Sequence, residues 1–436
     1  MRRSWVVLAA ATMVAATACS GQGNDGRGGI AAPPSDPAKV SGEITVLTNR
    51  TDQIADGTLK KYAAEFRKEY PRVKVKFEGL TDYEGETKIR MNTDNYGDVL
   101  LIPNSLSVKQ YPTFFASLGK SDDLSAKFDY TDHATVDGQV YGLAGIGVAN
   151  GFVYNKTVWA GAGITKWPTT PEEFVADLES IKSKTGATPY YTNYKDGWPL
   201  TNWTNAVGSP TCDPDAYDKL ATTGKPWSRG SDLYTIDKLL YTIVDDKLAE
   251  ADPTTTNWED SKARIATGKI ASMWLGSWAI SQMQAAAKAA GKDPGDIGFM
   301  PFPAQKNGKF CSVLRPDYQY AVNVHSPRKA AARAWIDWYI TESGQAAAEG
   351  SLSSVKGAPL PGTLEAFADN DVTMIPQHQR NLAEVNSIDK ASEIGITAQD
   401  YRQKLVDVAR GAADGDMDSY FDELNGKWSE ARQTVG

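Results

Sequence analysis

Apolar and polar positions follow two different periods in the first quarter of the chain. GEITVLT (42–48) predicts a strand, VKVKFEGL alternates as a half-buried strand does, and DVLLIP (98–103) fits a strand covered on both faces. Between the first two strands, five residues share one helical face: Leu59, Tyr62, Ala63, Phe66 and Tyr70. This alternation of strands and helices predicts an α/β fold with a largely parallel sheet.

The same order resumes later, with well-marked helix starts. TPEEFVADLESIKSKTG places Thr170 as N-cap, Pro171 in the first turn and Glu173 as the partner of a capping box. SPRKAAARAWIDWYITESG (326–344) repeats this arrangement with Ser326 and Pro327. Helical patterns continue to the C-terminus, so the α/β class is expected for the whole folded part.

The N-terminus has the order of a secretory signal. MRRSWVVLAAATMVAATAC carries two arginines, an apolar run and small residues before Cys19. Residues 1–18 are expected to be removed, and Ala16-Thr17-Ala18-Cys19 resembles a lipobox in which Cys19 becomes lipidated. An ordinary signal with a chance cysteine is the alternative. Residues 19–40, rich in Gly, Pro and Ser, are expected to form a flexible tether.

Composition and charge exclude several classes of function. The net charge of -8 argues against a nucleic-acid partner. We expect no metal site, because the three histidines are scattered along the chain. The acidic stretch DGDMDSYFDEL (414–424) lacks the glycine and the bidentate glutamate of a calcium-binding loop. Walker A, GxGxxG-after-strand, HExxH and GxSxG patterns are absent from the sequence, so we expect no cofactor. Cys212 and Cys311 either pair as a disulfide or are two buried thiols.

Several stretches together resemble one family, the extracellular solute-binding proteins of carbohydrate ABC transporters, which include maltose-binding protein. The stretches are FRKEYPRVKVKFEG, YGDVLLIP, DGQVYGL, FVYNKTVWAGAGITKWPTTPEEF, ARIATGKIASMWLGSWA and SPRKAAARAWIDWYIT. The resemblance implies a two-lobed, periplasmic-binding-protein-like (type II) fold with a ligand cleft between hinge-connected lobes. It places lobe one at 41–149 plus 299–352 and lobe two at 150–298 plus 353–436. Gly147 and Gly151 lie near the first crossing, where they fit either a flexible hinge or a buried strand of small residues.

The resemblance also implies a function. The chain would be a monomeric, extracytoplasmic lipoprotein, held to the outer face of the cell membrane by its lipid anchor alone. It would capture a sugar or oligosaccharide by lobe closure and deliver it to the permease subunits of an ABC transporter, without being an enzyme. The rival interpretations are a lipid-anchored glycoside hydrolase, because carboxylate pairs cannot be located from sequence, and a peptide- or metal-binding member of the same fold.

The segment MWLGSWAISQM (273–283) provides the sharpest prediction for the ligand site. It is expected to form a strand, a turn at Gly276-Ser277 and then a helix, which puts Trp278 at the strand's exit, where ligands bind in open α/β sheets. The family's Gly-x-Trp supplies a sugar-stacking aromatic at this point, and Gly276-Ser277-Trp278 matches it. Trp274 lies inside the strand and is expected to be buried.

Other candidates follow from strand ends and polar loops, because sugars need planar polar groups for their hydroxyls and aromatic faces for their C–H surfaces. Asp52 and Arg50 resemble the family's polar pair, although Asp52 or Thr51 would also serve as a helix cap. Trp198 and Trp203 face either the ligand or the core of lobe two. The remaining candidate ligand contacts are Tyr83, Asn104, Asn150, Asp317 and Tyr318.

Overall fold

The computed structural model describes residues 30–32 and 34–435. The expected signal segment 1–18 and Cys19 lie outside these residues. Among the residues described, no helix combines the length and the apolar character that a membrane crossing requires.

Strands and helices alternate along the described chain. The strands are β1 Gly42–Thr48, β2 Val73–Gly79, β3 Val99–Leu101, β4 Gly119–Lys120, β5 Thr135–Val136, β6 Gln139–Val140, β7 Leu143–Ala144, β8 Ile146–Asn155, β9 Thr188–Tyr190, β10 Ile270–Gly276, β11 Ile297–Met300, β12 Gln305–Lys306, β13 Lys309–Pro316, β14 Gln319–Val322, β15 Leu352–Ser353 and β16 Thr373–Pro376. The helices are α1 Thr51–Ala55, α2 Thr58–Glu69, α3 Tyr83–Arg90, α4 Tyr111–Phe114, α5 Ser121–Ser125, α6 Lys156–Gly161, α7 Pro171–Lys184, α8 Trp198–Thr201, α9 Asp232–Asp245, α10 Trp258–Ala266, α11 Trp278–Ala289, α12 Lys329–Thr341, α13 Gln345–Ala348, α14 Glu365–Asp369, α15 Leu382–Ser392, α16 Gln399–Ala409 and α17 Met417–Val435.

The smaller lobe is built on a five-stranded sheet in the order β2-β1-β3-β14-β7. β1 pairs in parallel with β2 and β3, and β14 joins antiparallel to β3 and β7, so the sheet is parallel on one side only. The predicted face of α2 packs here: Phe66 contacts Trp335 of α12 edge-on, with ring centroids 5.3 Å apart. The prediction of alternating strands and helices for this region is confirmed.

The larger lobe is built on an eight-stranded sheet whose central path is β12-β13-β8-β10-β9. β8 is its middle strand and pairs antiparallel with β10, β11, β13 and β15. Phe152 of β8 packs edge-on against Trp274 of β10, 4.9 Å between centroids, in the main core of this lobe. Helix α7 begins where the capping box predicted, because Thr170 Oγ1 accepts a hydrogen bond from the Glu173 N–H at 3.1 Å.

One expected helix start is shifted. Ser326 and Pro327 were expected to cap and open a helix, but α12 begins at Lys329. The Ser326 hydroxyl instead donates to Asp98 Oδ1 at 2.5 Å, which ties this turn to the entrance of β3.

The chain passes between the lobes at three places: before Ile146, around Asp317 and near Ser353. These segments lie side by side, because β15 pairs with β8 at Gly147 and the Asp317 N–H donates to the Ile146 carbonyl at 3.1 Å. Strands β11 and β13 pair inside the larger sheet. The strand pairing therefore favours a second crossing after Pro316, later than the expected boundary at residue 299.

Part of the expected tether is packed against the smaller lobe. Ala31 is fully buried, its N–H donates to the Ser117 carbonyl at 2.8 Å, and its carbonyl accepts from Arg333 at 3.0 Å. Residues 37–39 form a short 3-10 helix leading into β1. The expectation of a flexible tether over the whole of 19–40 is therefore wrong at Ala31, whose buried backbone groups have partners on the lobe, and at residues 37–39, which form a helical turn.

The two glycines near the first crossing lie in a buried, regular strand. A Cβ on Gly151 would lie 2.4 Å from the Met300 carbonyl oxygen, and one on Gly147 would lie 2.3 Å from the Tyr130 hydroxyl. Close packing of neighbouring groups requires glycine at both positions. This favours the alternative to the hinge interpretation, a packed strand of small residues.

Cys212 and Cys311 form a disulfide, with their Cα atoms 5.5 Å apart. Cys311 belongs to β13, and Cys212 lies in a loop whose neighbours Val207 and Tyr217 are buried in the core of the larger lobe. The bond therefore links two parts of one lobe and does not cross the cleft.

Candidate functional site

A cleft of about 980 Å³ lies between the lobes. Its floor contains Ile146, Asp317 and Ser351, which belong to the three crossing segments. The smaller lobe contributes a largely polar wall, and the larger lobe contributes an aromatic one. The other lining residues used below are Arg50, Glu84, Asn104, Trp198, Asn202, Trp258, Trp278, Tyr318, Glu349 and Asp389.

Three tryptophans form the aromatic wall. Trp198 lies 4.8 Å from Trp258 and 5.8 Å from Trp278 between ring centroids, and Trp258 lies 5.9 Å from Trp278. Each is half-buried and each is the first residue of its helix: α8, α10 and α11. The three helix starts meet at the cleft, where the rings form one aromatic cluster with interplanar angles of 78°, 45° and 68°.

The Gly-Ser-Trp stretch has a steric basis in the fold. A Cβ on Gly276 would lie 2.5 Å from Trp278 Nε1 and 2.5 Å from Val148 Cγ1. Glycine at the end of β10 therefore lets the Trp278 indole fold back over the strand. Trp274, two residues before Gly276 in the chain, is buried and donates from Nε1 to the Asn202 carbonyl at 2.8 Å, as the sequence predicted for a core residue.

The polar wall begins at Arg50, which follows β1. Its guanidinium donates to both carboxylate oxygens of Asp52, at 3.0 and 2.9 Å, and pairs with Glu349 at 2.9 Å. These two carboxylates raise the pKa of Arg50 against the opposing effect of burial. Glu349 also accepts from Gln53 Nε2 at 2.8 Å, so the guanidinium is held in one place and orientation.

Asp52 itself does not line the cleft. Its side chain is 64% exposed, pairs with Arg50 and is absent from the cleft lining. The N-cap position of α1 is held by Arg50, and Asp52 lies inside the first turn. Both expectations for Asp52, ligand contact and helix cap, are therefore corrected: it orients Arg50.

A second polar group lies around Glu84 on α3. Glu84 Oε1 accepts from the Tyr318 hydroxyl and from the Asn104 N–H, each at 2.9 Å. Burial is the largest cause of the raised pKa of Tyr318, and Glu84 adds to it, so this hydroxyl stays protonated and keeps donating. Glu84 thereby fixes the Tyr318 ring and the Asn104 backbone at the cleft surface.

Tyr83 lies behind this group and not over the cleft. Its hydroxyl donates to the Leu101 carbonyl at 2.9 Å and accepts from the Leu101 N–H at 2.7 Å. Its ring packs edge-on against Tyr318, 5.7 Å between centroids. The expected role for Tyr83 as a roof of the cleft is wrong, because its polar end is used inside the smaller lobe.

Trp203 is also absent from the lining. It is completely buried beside Phe152 and Trp274, and its Nε1 donates to the Tyr190 hydroxyl at 3.0 Å. The alternative interpretation, core of the larger lobe, describes Trp203. Its neighbour in the same loop, Trp198, does line the cleft.

Asp317 lies at the cleft floor. Its side chain is open to the cleft, but the surrounding walls exclude much of the bulk solvent. This desolvation raises the pKa of Asp317 to about 6, Glu349 adds to the increase, and Arg50 opposes it. The group therefore changes charge near neutral pH, at the point where the two lobes meet.

Behind Trp278 the cleft continues into a smaller chamber of about 260 Å³. Four residues line both the cleft and the chamber: Asn104, Trp278, Asp317 and Tyr318. Asn150 lines the chamber but not the main cleft. Arg315 lies in the chamber wall, donates to Asn205 Oδ1 and has its guanidinium 5.6 Å from the centre of the Tyr217 ring. Desolvation lowers the pKa of Arg315 from its usual value.

The sequence did not indicate several lining residues. Among them, Trp258 has the clearest local sequence pattern, because it follows the helix-capping residue Asn257. The Asn257 side chain accepts a hydrogen bond from the Asp260 N–H at 3.0 Å. Glu84 and Glu349 carry no local signal, because each reaches the cleft through the packing of distant segments. Among the described residues, no group of three His, Cys, Asp or Glu side chains is arranged to hold a metal ion.

Known proteins show the same arrangement of lobes. A solved structure of BlMnBP1, the binding protein of an ABC transporter from Bifidobacterium animalis subsp. lactis, in complex with mannobiose, is 32% identical with a TM-score of 0.85, covering 92% of this chain and 96% of that one. A manno-oligosaccharide-specific solute-binding protein from the same organism, BlMnBP2, in complex with mannotriose, is 30% identical with a TM-score of 0.85, over 92% and 96% of the two chains.

A curated relative and a family model agree with these structures. The multiple sugar-binding protein of Streptococcus mutans is 26% identical over 359 residues, which cover 77% of this chain and 83% of the relative. The model of the bacterial extracellular solute-binding protein family matches residues 51–346. These residues include Glu84, Asn104 and Tyr318 of the polar wall, the three tryptophans, and Ile146 and Asp317 of the cleft floor. The chain belongs to the family of bacterial extracellular solute-binding proteins, which are two-lobed binding proteins.

Proposed function

We propose that the chain captures a short oligosaccharide in the cleft and delivers it to the permease of an ABC transporter. The observation that carries the proposal is the pairing of two walls. Trp198, Trp258 and Trp278 offer flat apolar faces, and fixed polar groups face the same space. A sugar has both kinds of surface, with C–H faces for stacking and hydroxyls for directional hydrogen bonds.

The relatives narrow the ligand class. Two similar structures hold mannobiose and mannotriose, and the curated relative is named for binding multiple sugars. A cleft of about 980 Å³ has room for a ligand of a few sugar units. We therefore propose a di- or trisaccharide, with manno-oligosaccharides as the first to be tested.

Lobe closure would couple capture to transport. The ligand would contact the tryptophan wall of the larger lobe and the Arg50 and Tyr318 side chains of the smaller lobe at the same time. Only contacts made preferentially in the closed form shift the balance towards it, so a ligand that bridges both walls favours closure. The closed monomer would then dock on the permease, and ATP hydrolysis would belong to other subunits.

The cellular setting is part of the same proposal. Residues 1–18 would be removed as a signal, and Cys19 would carry the lipid that holds the protein at the outer face of the cell membrane. The smaller lobe would comprise residues 41–145 and the segment from the second crossing to about Ser353. The larger lobe would comprise the other folded residues. As a binding protein rather than an enzyme, it would return its sugar unchanged.

Isothermal titration calorimetry with a panel of ligands tests the proposal. The panel contains mannobiose, mannotriose, other di- and trisaccharides, a tripeptide and divalent cations, and bound sugar is recovered afterwards and analysed by chromatography. We expect saturable binding of at least one di- or trisaccharide, recovered intact. Binding only of peptide or cation would overturn the carbohydrate proposal, and hydrolysed sugar would identify a glycoside hydrolase instead.

A further inference from the structure

The loop that leads to Trp198 is joined to the start of the helix that carries Trp258. Asp196 Oδ2 accepts a hydrogen bond from the Trp258 backbone N–H at 2.9 Å. One residue earlier, the Lys195 N–H donates to Thr256 Oγ1 at 2.8 Å. The paired residues are 62 and 61 positions apart in the chain. The two hydrogen bonds therefore connect segments that carry different parts of the tryptophan wall.

Asp196 contacts the backbones of both tryptophans. Its side chain accepts from Trp258, and its carbonyl accepts from the Trp198 N–H at 2.8 Å. The two rings lie edge-on, with centroids 4.8 Å apart and an interplanar angle of 78°. Edge-to-face packing is a favourable arrangement of aromatic rings, but the attraction between two rings is small. A residue that is hydrogen-bonded to both backbones therefore adds to what fixes the spacing of the pair.

The turn that holds Asp196 has a defined shape of its own. Asn193 and Gly197 adopt positive φ angles of 54° and 71°, and the Gly197 N–H donates to the Asn193 carbonyl at 3.2 Å. A Cβ on Gly197 would lie 2.5 Å from Gln399 Oε1, so glycine lets helix α16 approach the turn. These contacts depend on backbone groups and on glycine. The turn can therefore keep its shape when the Asp196 carboxylate is replaced.

The Asp196 carboxylate also contributes to how helix α10 begins. The first N–H groups of a helix have no partner inside the helix, so acceptors from elsewhere satisfy them. The Asn257 side chain accepts from the Asp260 N–H at 3.0 Å, and half-buried Asp196 accepts from the Trp258 N–H. A carboxylate is a strong acceptor, and its negative charge is favoured at this end of the helix dipole. Asp196 thus helps to fix the backbone position from which the Trp258 side chain extends.

We propose that Asp196 is a positioning residue of the sugar site, which holds Trp198 and Trp258 in their edge-on arrangement before a ligand arrives. A sugar then meets a surface that is already ordered. Without the Asp196 carboxylate the ligand has to order the pair itself, and the conformational entropy that this costs weakens binding. This inference rests on the proposed function for its effect on affinity, whereas the arrangement of the pair can be measured without any ligand.

Three substitutions separate this hydrogen bond from a general effect on stability. Asp196→Ala removes the acceptor for the Trp258 N–H, and Asp196→Asn retains an acceptor in its amide oxygen. Asp252→Ala is the matched control, because Asp252 Oδ1 accepts from the Thr254 N–H at 3.0 Å and caps the short 3-10 helix Pro253–Thr255 that precedes α10. Both alanine variants lose a capping carboxylate, and the one at Asp196 contacts the Trp258 backbone.

Circular dichroism of the ligand-free protein reports the arrangement of the pair. Two indole rings at this distance couple their electronic transitions and give bands of opposite sign. The bands that are lost in both Trp198→Phe and Trp258→Phe define the contribution of the pair. We expect Asp196→Ala to lose at least half of this contribution, while Asp196→Asn and Asp252→Ala retain most of it. Full retention of the bands in Asp196→Ala would overturn the inference.

Calorimetry measures the consequence for binding, with mannotriose or with the panel sugar that binds most tightly. Asp196→Ala should weaken the affinity about tenfold, because two side chains have to be ordered on binding. Asp196→Asn and Asp252→Ala should stay within threefold of the unmodified protein. The melting temperatures of the two alanine variants should fall by similar small amounts. Unchanged affinity in Asp196→Ala would contradict the inference even if the bands are lost.

Asp196→Ser replaces Asp196→Ala if the alanine variant fails to fold. Serine suits turns, and its side chain is shorter than that of aspartate, so the acceptor is withdrawn from the Trp258 N–H. The same losses are expected, and bands and affinity equal to those of the unmodified protein would count against the role of Asp196.

Failure of this inference and failure of the proposed function give different results. Absence of binding of every panel sugar to the unmodified protein would remove the proposed function, and with it the role of Asp196 in binding. Sugar binding that Asp196→Ala leaves unchanged would remove only this inference.

Discussion

The Trp198 and Trp278 rings lie with their centroids 5.8 Å apart at an interplanar angle of 45°. The two residues are eighty positions apart in the chain and open different helices, α8 and α11. Their contact therefore depends on how the larger lobe folds, and it joins two single aromatics into one surface. Because the two rings are in contact, each helps to hold the other in position at the cleft.

Trp278→Ala and Trp274→Ala form a matched pair that separates the ligand surface from the core. We expect Trp278→Ala to weaken sugar binding at least tenfold, about 1.4 kcal/mol, with a small change in melting temperature. Trp274→Ala should lower the free energy of unfolding by about 3–5 kcal/mol, because it removes a buried ring. Calorimetry and thermal melts measure both, and exchanged outcomes would contradict the assignment.

Sugar affinity should depend on pH through Asp317. Its carboxyl pKa is raised to about 6, first by desolvation and then by Glu349, so the group is ionised above pH 6 and protonated below. Protonation removes an acceptor for sugar hydroxyls, and affinity should fall about tenfold between pH 7.5 and pH 5.

Asp389 also lines the cleft and has a pKa raised to about 6, mainly by burial, so a variant must isolate Asp317. Asp317→Asn should bind more weakly at pH 7.5 and lose most of the pH dependence. Calorimetry at three pH values measures this. A pH dependence that persists in Asp317→Asn would assign the titration to Asp389 or another group.

Acid should destabilise the folded chain through His133. Burial lowers the pKa of this ring to about 4, and Arg315 contributes, while Asp132 and Asp218 oppose the shift. The unfolded chain takes up the proton first as the pH falls below about 6.5, so stability is lost between pH 6.5 and pH 4. Denaturant titrations should show a loss of about 2 kcal/mol from this group at pH 5.

His133→Gln provides the control for this effect, since its amide can still donate to the Gln377 carbonyl that His133 Nε2 contacts at 3.0 Å. The difference in unfolding free energy between pH 7.5 and pH 5 should shrink by about 2 kcal/mol in the variant. An identical pH difference in both proteins would show that His133 does not titrate in this range.

The disulfide should stabilise the larger lobe without restraining closure. Cys212 and Cys311 close a loop of 99 residues. Loss of a cross-link of this span costs about 3–5 kcal/mol of stability in the chain-entropy model. The double variant Cys212→Ala/Cys311→Ala, and the reduced protein, should melt earlier while binding sugar within threefold of the oxidised protein. A large gain or loss of affinity on reduction would indicate that the bond controls the cleft.

Gly151 tests whether the first crossing is a packed strand or a flexible hinge. Gly151→Ala places a methyl group 2.4 Å from the Met300 carbonyl oxygen and should destabilise the protein by about 1–3 kcal/mol. Gly161→Ala, at the end of α6 with open space around it, should be neutral or stabilising. If Gly151→Ala leaves the melting temperature unchanged and alters closing rates instead, the hinge interpretation holds.

Local patterns predicted most of the elements and two of the three tryptophans at the cleft, Trp198 and Trp278. The turn at Gly276-Ser277 leads from a buried strand into a helix. Together with the family's Gly-x-Trp, this turn predicted Trp278 at the cleft and Trp274 in the core. The polar loop around Trp198 and Trp203 shows what local sequence does not predict, namely which of two nearby tryptophans is buried. Both residues have similar neighbours in the sequence, and only the tertiary packing of the larger lobe buries Trp203 and leaves Trp198 at the surface.

Long-range pairing explains the remaining differences. Strand β13 joins the larger sheet through partners more than 150 residues earlier, at 147–149, which no local pattern reveals. The expected boundary at residue 299 came from the family resemblance and not from strand pairing. Glu349 reaches Arg50 across almost 300 positions of sequence, so an ion pair of this kind is visible only in the fold.

The positions of the tryptophans make the intrinsic fluorescence of the protein sensitive to ligand binding. Eleven tryptophans are described, and seven of them are buried in the cores. Those seven emit from surroundings that a ligand does not touch. Trp198, Trp258 and Trp278 lie together at the cleft, so a sugar that covers them displaces water from three fluorophores at once. Ligand capture can therefore be followed by intrinsic fluorescence in the unlabelled protein, and each substitution in the wall removes one identifiable share of that signal.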